Sequence, residues 1–370
     1  MALWVVGALV LLAVVYRSWV GGQVRTFVVL STTLHTPVLT WTAKALTADP
    51  RVDDNAVVGG SPTTVVRPGN GHRWPAIVFV NGATARGRHH PKVQRLARGL
   101  ARAGYLVLVP DLPGLLRGEI TERTLRAAIA VTRAAAERPD ARGGRVAVFG
   151  VSVGATLALL AAEAPSLAGR ISVVAGIAPY SDLRHVVRVA TTGTYAERGR
   201  IVRYRADPFV SLAIARSLTA ALPAGRERRR LLGALLGVSD DSTDPLAVLP
   251  SPRMLHGQAR AVVGLLVNRN SDRFAPLYDA LSPQLRAGLR TLSPLRGARR
   301  LHVPIELASA PHDKYFPIGE SRALARVDPR VQVVVTRTLQ HAVPKPSLSD
   351  IWDLLRFDAF VVDALRAARG

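Results

Sequence analysis

The sequence predicts an α/β protein: a mostly parallel β-sheet with helices on both faces and a helical cap inserted above it. Three observations predict this. Short apolar runs of strand length alternate with helix-length amphipathic stretches from residue 76 onward. One run, Val146–Phe149, leads through Gly150-Val151-Ser152-Val153-Gly154 straight into a helical pattern. At 370 residues and 48% hydrophobic content, the chain is long and apolar enough to bury one large core.

The chain opens with Ala2–Tyr16, which carries no charge and as a helix spans about 22 Å. Arg17 can snorkel and Trp19 can sit at the interface, so an uncleaved single-pass membrane helix is expected. A cleaved signal peptide would need a basic start and a small-residue cleavage site, and neither is evident. Thr26–Ala43 is also without formal charge, but His35 and Pro37 interrupt it. Two placements fit it: on the membrane surface, or as the second limb of a hairpin. With one span, Arg17 and Arg25 put the main domain in the cytoplasm, which is the expectation; two spans would put it outside.

Residues 49–73 are rich in turn formers, with edge strands expected at Asn55–Val58 and Thr63–Arg67. The strands expected next are Ala76–Val80, Leu106–Val109, Val146–Phe149, Ser172–Ala175, Ile305–Ala308 and Val331–Thr336. Helices are expected at Pro91–Ala103, Thr121–Ala136, Val153–Ala162 and Ser347–Arg366. The last has apolar positions at helical spacing and a capping-box start from Ser347 to Asp350. The long insertion has helical stretches at Val210–Ala221 and Leu231–Leu236 and a turn-rich break at Ser239–Pro245. It lies where a cap would cover the carboxyl edge of the sheet. The expected organisation is a membrane anchor and juxtamembrane segment over 1–48, a first part of the core over 49–180, a cap over 181–300 and a second part of the core over 301–370.

The formal charge of +23 is almost all arginine, since only four of the 49 basic residues are lysine. Nucleic-acid binding would call for a basic stripe with interleaved aromatics or a reading motif, but aromatics are only 5% and no such motif is present. A basic skin facing anionic lipid fits better. The run Arg226–Val238 is basic and then apolar: a helix with a solvated end, or in the sharper reading a lid that touches lipid. With no cysteine, a thiol nucleophile, a cysteine zinc site and a disulfide framework are all excluded.

A serine between a buried strand and a helix start sits on a sharp turn with strained backbone angles, and Gly150 and Gly154 allow strand and helix to pass closely. Further on, strand Ile305–Ala308 is followed by Ser309-Ala310-Pro311-His312-Asp313-Lys314-Tyr315-Phe316-Pro317. The last strand is followed by Thr338-Leu339-Gln340-His341-Ala342-Val343-Pro344. In this arrangement the chain resembles the α/β-hydrolase superfamily, nearest its dienelactone-hydrolase-like and esterase branches, over about Pro75–Arg369 apart from most of the insertion.

The resemblance implies a triad in the order Ser152, Asp313, His341, each on a loop after a strand. Serine is a poor nucleophile at neutral pH, so His341 would take its proton and later return it to the leaving group, while Asp313 would fix the imidazole tautomer. Asp182 also follows a strand and is the rival acid. For the oxyanion, the resemblance implies the backbone N–H of Val153 and that of Ala83 in the loop Val80-Asn81-Gly82-Ala83, with Gly82 the alternative. His89 and His90 are expected to cap a helix or line the pocket. Asp111-Leu112-Pro113-Gly114, His302 and His312 are expected to be structural. Asp240, Asp241 and Asp244 read as a solvated acidic loop rather than a metal site. Dienelactone hydrolases use a cysteine nucleophile, so their substrate class does not carry over.

The implied function is a membrane-anchored serine hydrolase that cleaves carboxylic esters or thioesters through an acyl-enzyme. It would use no cofactor or metal and would take a small-molecule or lipid-like ester. An acyltransferase or peptidase with the same triad, and a hydrolase-fold protein that binds without turnover, are the other readings of these residues.

Overall fold

The structure, a computed structural model, describes residues 21–33, 45, 47–197, 199–341, 343–344 and 351–370. Ala2–Tyr16 and residues 34–44 lie outside the described residues; among those described, no helix is long and apolar enough to cross a membrane.

Eight strands form the main sheet: β1 (Arg51–Val58), β2 (Ser61–Arg67), β3 (Trp74–Val80), β4 (Leu106–Pro110), β5 (Ala141–Val151), β6 (Ile171–Ile177), β9 (Ile305–Ser309) and β10 (Val331–Val335). A separate hairpin of β7 (Thr194–Glu197) and β8 (Arg200–Arg203) belongs to the insertion. The sheet order is β1-β2-β4-β3-β5-β6-β9-β10. Pairing is antiparallel from β1 through β2 to β4, and parallel from there on. Parallel strands covered on both faces are apolar without alternation, and β3 is buried at every position. β5 begins five residues earlier than its apolar run, because the polar stretch Arg142–Arg145 pairs with no apolar pattern to announce it.

One face of the sheet presents Ala76, Val78, Val146 and Val148. They pack in one core with Leu125 and Val131 of α2 (Glu122–Ala136) and Leu157 of α3 (Val153–Ala162). The other face presents Ile77, Phe79 and Ala147 to Val93 and Leu100 of α1 (Pro91–Arg102). Leu365 of the C-terminal helix, Ile351–Ala367, closes the same core.

Helical residues 21–33 lie against this second face, with Val28 and Val29 buried in its core. Gly99 of α1 permits the approach, since a Cβ there would stand 3.2 Å from both Thr32 Cβ and Val29 O. The threonine-rich sequence tolerates burial because its hydroxyls bond back along the helix, Thr32 Oγ1 to Val28 O at 2.7 Å and Thr33 Oγ1 to Val29 O at 2.6 Å. Residues 26–33 therefore pack on the sheet domain, where the sequence pattern had pointed to a lipid surface or a hairpin limb.

The insertion folds as α4 (Leu183–Thr192), the β7–β8 hairpin, α5 (Pro208–Ala220), α6 (Arg226–Leu236), α7 (Gly257–Leu266), α8 (Phe274–Asp279) and α9 (Pro283–Thr291). Arg216, in the apolar helix α5, is only 4% exposed. Its guanidinium donates to the carbonyls of Leu235, Val238 and Arg117 and to Asp240 Oδ1, so a buried cation ties α6 and the following loop to the core.

Where the insertion leaves the sheet, Glu320 of α10 (Gly319–Val327) is buried beneath it. Glu320 Oε2 accepts from Ser181 N and Ser181 Oγ, both at 2.7 Å, and from Asp182 N at 3.0 Å; Oε1 meets His185 Nδ1 at 2.9 Å. Burial alone would raise the carboxyl, but the bonds from His185 and Ser181 outweigh it and hold Glu320 below its ordinary value. The bond to Glu320 holds His185 above its own. The histidine's contribution is complete below its unfolded value and lost as pH rises through its raised folded value. The carboxylate's contribution holds above its unfolded value. Glu320→Gln should therefore cost most between about pH 4.5 and 6.5, on the order of 3 kcal/mol in urea melts, and measurably less at pH 9.

Glu163, at the C-terminal end of α3, lies under Gly297 and meets Arg300 Nη2 at 3.2 Å. Burial pushes its carboxyl up to about 7 despite the arginine. A carboxyl raised on folding loses stability as pH climbs from its unfolded to its folded value. Glu163→Gln should accordingly melt higher than the parent at pH 8.5, by an amount on the order of 2 kcal/mol, with the difference shrinking towards pH 5.

Candidate active site

Ser152 follows β5 directly and α3 begins at Val153. Its backbone, φ 55° and ψ −128°, is a conformation that side chains rarely adopt. The turn holds because its surroundings determine it. Ser152 N–H donates to Ile177 O at 2.7 Å, and Ser152 O accepts from Ala155 N and Thr156 N. On Gly150 a Cβ would come within 2.5 Å of Ala155 N and the Gly154 carbonyl; on Gly154 it would land on Val80 O.

The loop after β3 passes beside the serine, with the Cβ direction of Gly82 meeting Ser152 Cβ at 3.5 Å. Asn81 latches this loop: its Oδ1 accepts from Gly82 N at 2.9 Å and its Nδ2 donates to Gly87 O at 3.0 Å. The Gly82 N–H is thereby occupied; Gly82, Ala83 and Val153 all border the cavity onto which Ser152 opens. Asp111 braces the same loop through Arg88, by an ion pair and by accepting Arg88 N–H at 2.8 Å.

Asp313, 6% exposed, sits after β9. Its Oδ1 accepts from Tyr315 N at 2.7 Å and Phe316 N at 3.2 Å. His341 Nδ1 lies 2.9 Å from Asp313 Oδ1 and 2.8 Å from Oδ2. His341 follows Gln340 at the turn of a two-residue ladder pairing Leu339 with Pro344 and Gln340 with Val343, and its backbone has φ 54°. Tyr315 lies against it at 4.2 Å between ring centroids, and Phe316 edges it at 6.3 Å. An imidazole bonded through Nδ1 to a buried carboxylate is held in one orientation with Nε2 left to move a proton.

The insertion clasps the acid loop. Tyr204, just past β8, donates its hydroxyl to Asp313 O. Burial, with Asp313 close by, raises its phenol. Asp207 takes Lys314 Nζ at 2.7 Å and donates its own N–H to Lys314 O at 2.6 Å. Sequence reading missed Tyr204, Asp207, Arg216 and Glu320. Only Arg216 left a signal, a lone cation in an otherwise apolar helix.

The other candidates fall away from the imidazole. Asp182, the rival acid, caps α4 by accepting Arg184 N at 2.9 Å. His302 and His312 are exposed rather than structural. His90 does both things expected of it, capping α1 through Lys92 N at 3.2 Å and bordering the cavity; His89 does not border it. Asp240 pairs with Arg216, Asp241 stands at the cavity rim and Asp244 is exposed.

Ser152 and His341 open onto one cavity of about 820 Å³, in the upper part of the roughly 300–1,000 Å³ range of small-molecule sites. A hydroxyl on a strained turn, backbone N–H groups beside it and a carboxylate-held imidazole are the parts required for acyl transfer.

No curated protein sequence matches the chain significantly. Solved structures of related shape include Pyrococcus horikoshii acylaminoacyl peptidase, with 14% identity and a TM-score of 0.46 over 81% of this chain and 38% of that one. Porphyromonas gingivalis dipeptidyl peptidase 4 has 12% identity and a TM-score of 0.48 over 88% of this chain and 37% of that one. Est1E from Butyrivibrio proteoclasticus has 11% identity and a TM-score of 0.46 over 86% of this chain and 96% of that one. The chain thus spans less than two fifths of the length of either peptidase. The model of the alpha/beta hydrolase family matches residues 77–345, well over half of the sequence, and the chain belongs to that family.

Proposed function

We propose that the protein is a serine hydrolase that cleaves carboxylic esters or thioesters through an acyl-enzyme. The observation that carries this reading is the bond of His341 Nδ1 to both oxygens of Asp313, on a cavity that Ser152 also borders. Ser152 Oγ would attack the carbonyl carbon as His341 Nε2 takes its proton. The carbonyl oxygen, now carrying the charge, would be met by the N–H groups of Val153 and Ala83. Gly82 is less suited, because its N–H is already given to Asn81. The C–O or C–S bond then breaks, with the proton passing from His341 to the leaving group. Water, deprotonated in turn by His341, releases the acid and restores Ser152.

Asp313 would act through the imidazole alone, by fixing its tautomer and stabilising its cation. Tethering of the domain to a membrane by Ala2–Tyr16, with the domain on the cytoplasmic side, is part of the same proposal and rests on that stretch's apolar sequence.

Hydrolysis of 4-nitrophenyl butyrate tests the reading. Ser152→Ala and His341→Ala should each lower kcat by about 1,000-fold or more, and Asp313→Asn by roughly 1,000- to 10,000-fold with its melting temperature nearly kept. Turnover by folded Ser152→Ala at the parental rate would reject it.

A further inference from the structure

We infer that the cavity beside Ser152 is an acyl-chain channel and that the preferred substrates are esters of long, unbranched aliphatic acids. This rests on Ser152 as the nucleophile. The cavity does not stop at the carboxyl ends of the strands. It continues down the second face of the sheet, where Leu30, Leu96, Phe149, Phe357 and Phe360 border it.

Burial along the strands shows where the space lies. On the first face, Val148 and Val174, on the adjacent strands β5 and β6, are fully buried. On the second face, Phe149, Val151 and Ile177 of the same two strands stay half-buried, although both strands are paired on either side. Deeper on that face, Ala147 and Val173 are sealed again. The gap therefore opens at the level of Ser152 and ends partway down the sheet.

Two features of the sequence shape it. Residues 21–33 run beside α1 at Gly99 and beside the C-terminal helix at Gly22, and Val29, Leu30 and Thr33 form one wall of the cavity. Ala175 and Ala364 also border it, and their small side chains occupy little of its width.

The chemistry of the walls selects the occupant. A polar group among Leu30, Phe149, Phe357 and Phe360 would lose its hydrogen bonds to water without replacement, whereas a methylene chain gains by leaving water. The chain belongs to the acid rather than the alcohol, because only the acyl group stays bonded to Ser152 through both half-reactions. The leaving group must depart for water to enter. At the outer rim Lys92, Asp241 and Lys314 are exposed, which suits a leaving group returning to solvent.

The test compares 4-nitrophenyl butyrate with 4-nitrophenyl dodecanoate on the full chain, using Leu30→Trp and Val361→Trp, two positions that border the cavity, to fill the channel away from the catalytic groups. In the parent, kcat/KM should rise by about 30-fold or more from butyrate to dodecanoate, well below the roughly fourfold per methylene that complete burial allows. Each variant should lose about tenfold or more on dodecanoate and stay within about twofold on butyrate, which also reports that it has folded. A profile that falls beyond butyrate, or equal losses on both esters, would overturn the channel while leaving the hydrolase reading intact. Calorimetric binding of dodecanoate to Ser152→Ala separates the two claims: binding that Leu30→Trp weakens supports the channel even without turnover, and absent binding rejects it.

Discussion

The whole arrangement depends on how closely the N-terminus of α3 approaches β3. The Cα of Gly154 stands where any side chain would meet the Val80 carbonyl, and Gly150 faces the next turn of the same helix. Only under that constraint is the chain forced to reverse within one residue, and the strain of that reversal falls on Ser152, at φ 55°. The same crowding brings the loop of Asn81, Gly82 and Ala83 alongside the serine. A single packing constraint therefore places the hydroxyl and the loop beside it together.

The remaining groups arrive from far along the sequence and are held by contacts of a different kind. Asp313 and His341 come from loops after two neighbouring strands, so the parallel order of β9 and β10 suffices to bring them together. What keeps them there is the insertion: Tyr204 and Asp207 grip the acid loop at Asp313 and Lys314. Arg216 and Glu320 in turn anchor the insertion to the core through buried, fully bonded charges. Such groups are costly to bury and more costly to leave half-paired, so they specify one arrangement of cap on sheet.

This division explains what could be read in advance. The turn at Ser152 was legible because it is local: an apolar strand, two glycines at fixed offsets and a helix start occupy ten residues. Asp313 and His341 were reachable through the family resemblance, which implies a triad in chain order with each member on a loop after a strand. Tyr204, Asp207 and Glu320 were not, because their partners lie more than a hundred residues away and nothing near them in sequence names those partners. Residues 26–33 misled for a related reason. Their apolar and threonine composition suits a lipid surface as well as a protein one, and only the bare surface at Gly99 favours the protein. The β7–β8 hairpin escaped notice because its polar, four-residue strands carry no period to detect.

The central claim is that Ser152 is the nucleophile, with Val153 and Ala83 supplying the oxyanion donors. A crystal structure of the protein after reaction with an alkyl fluorophosphonate tests it most directly, because the tetrahedral phosphorus mimics the charged intermediate. Phosphorus bonded to Ser152 Oγ, with its free oxygen about 3 Å from the nitrogens of Val153 and Ala83, is the predicted result. An adduct on another residue, or none in folded protein, would contradict it.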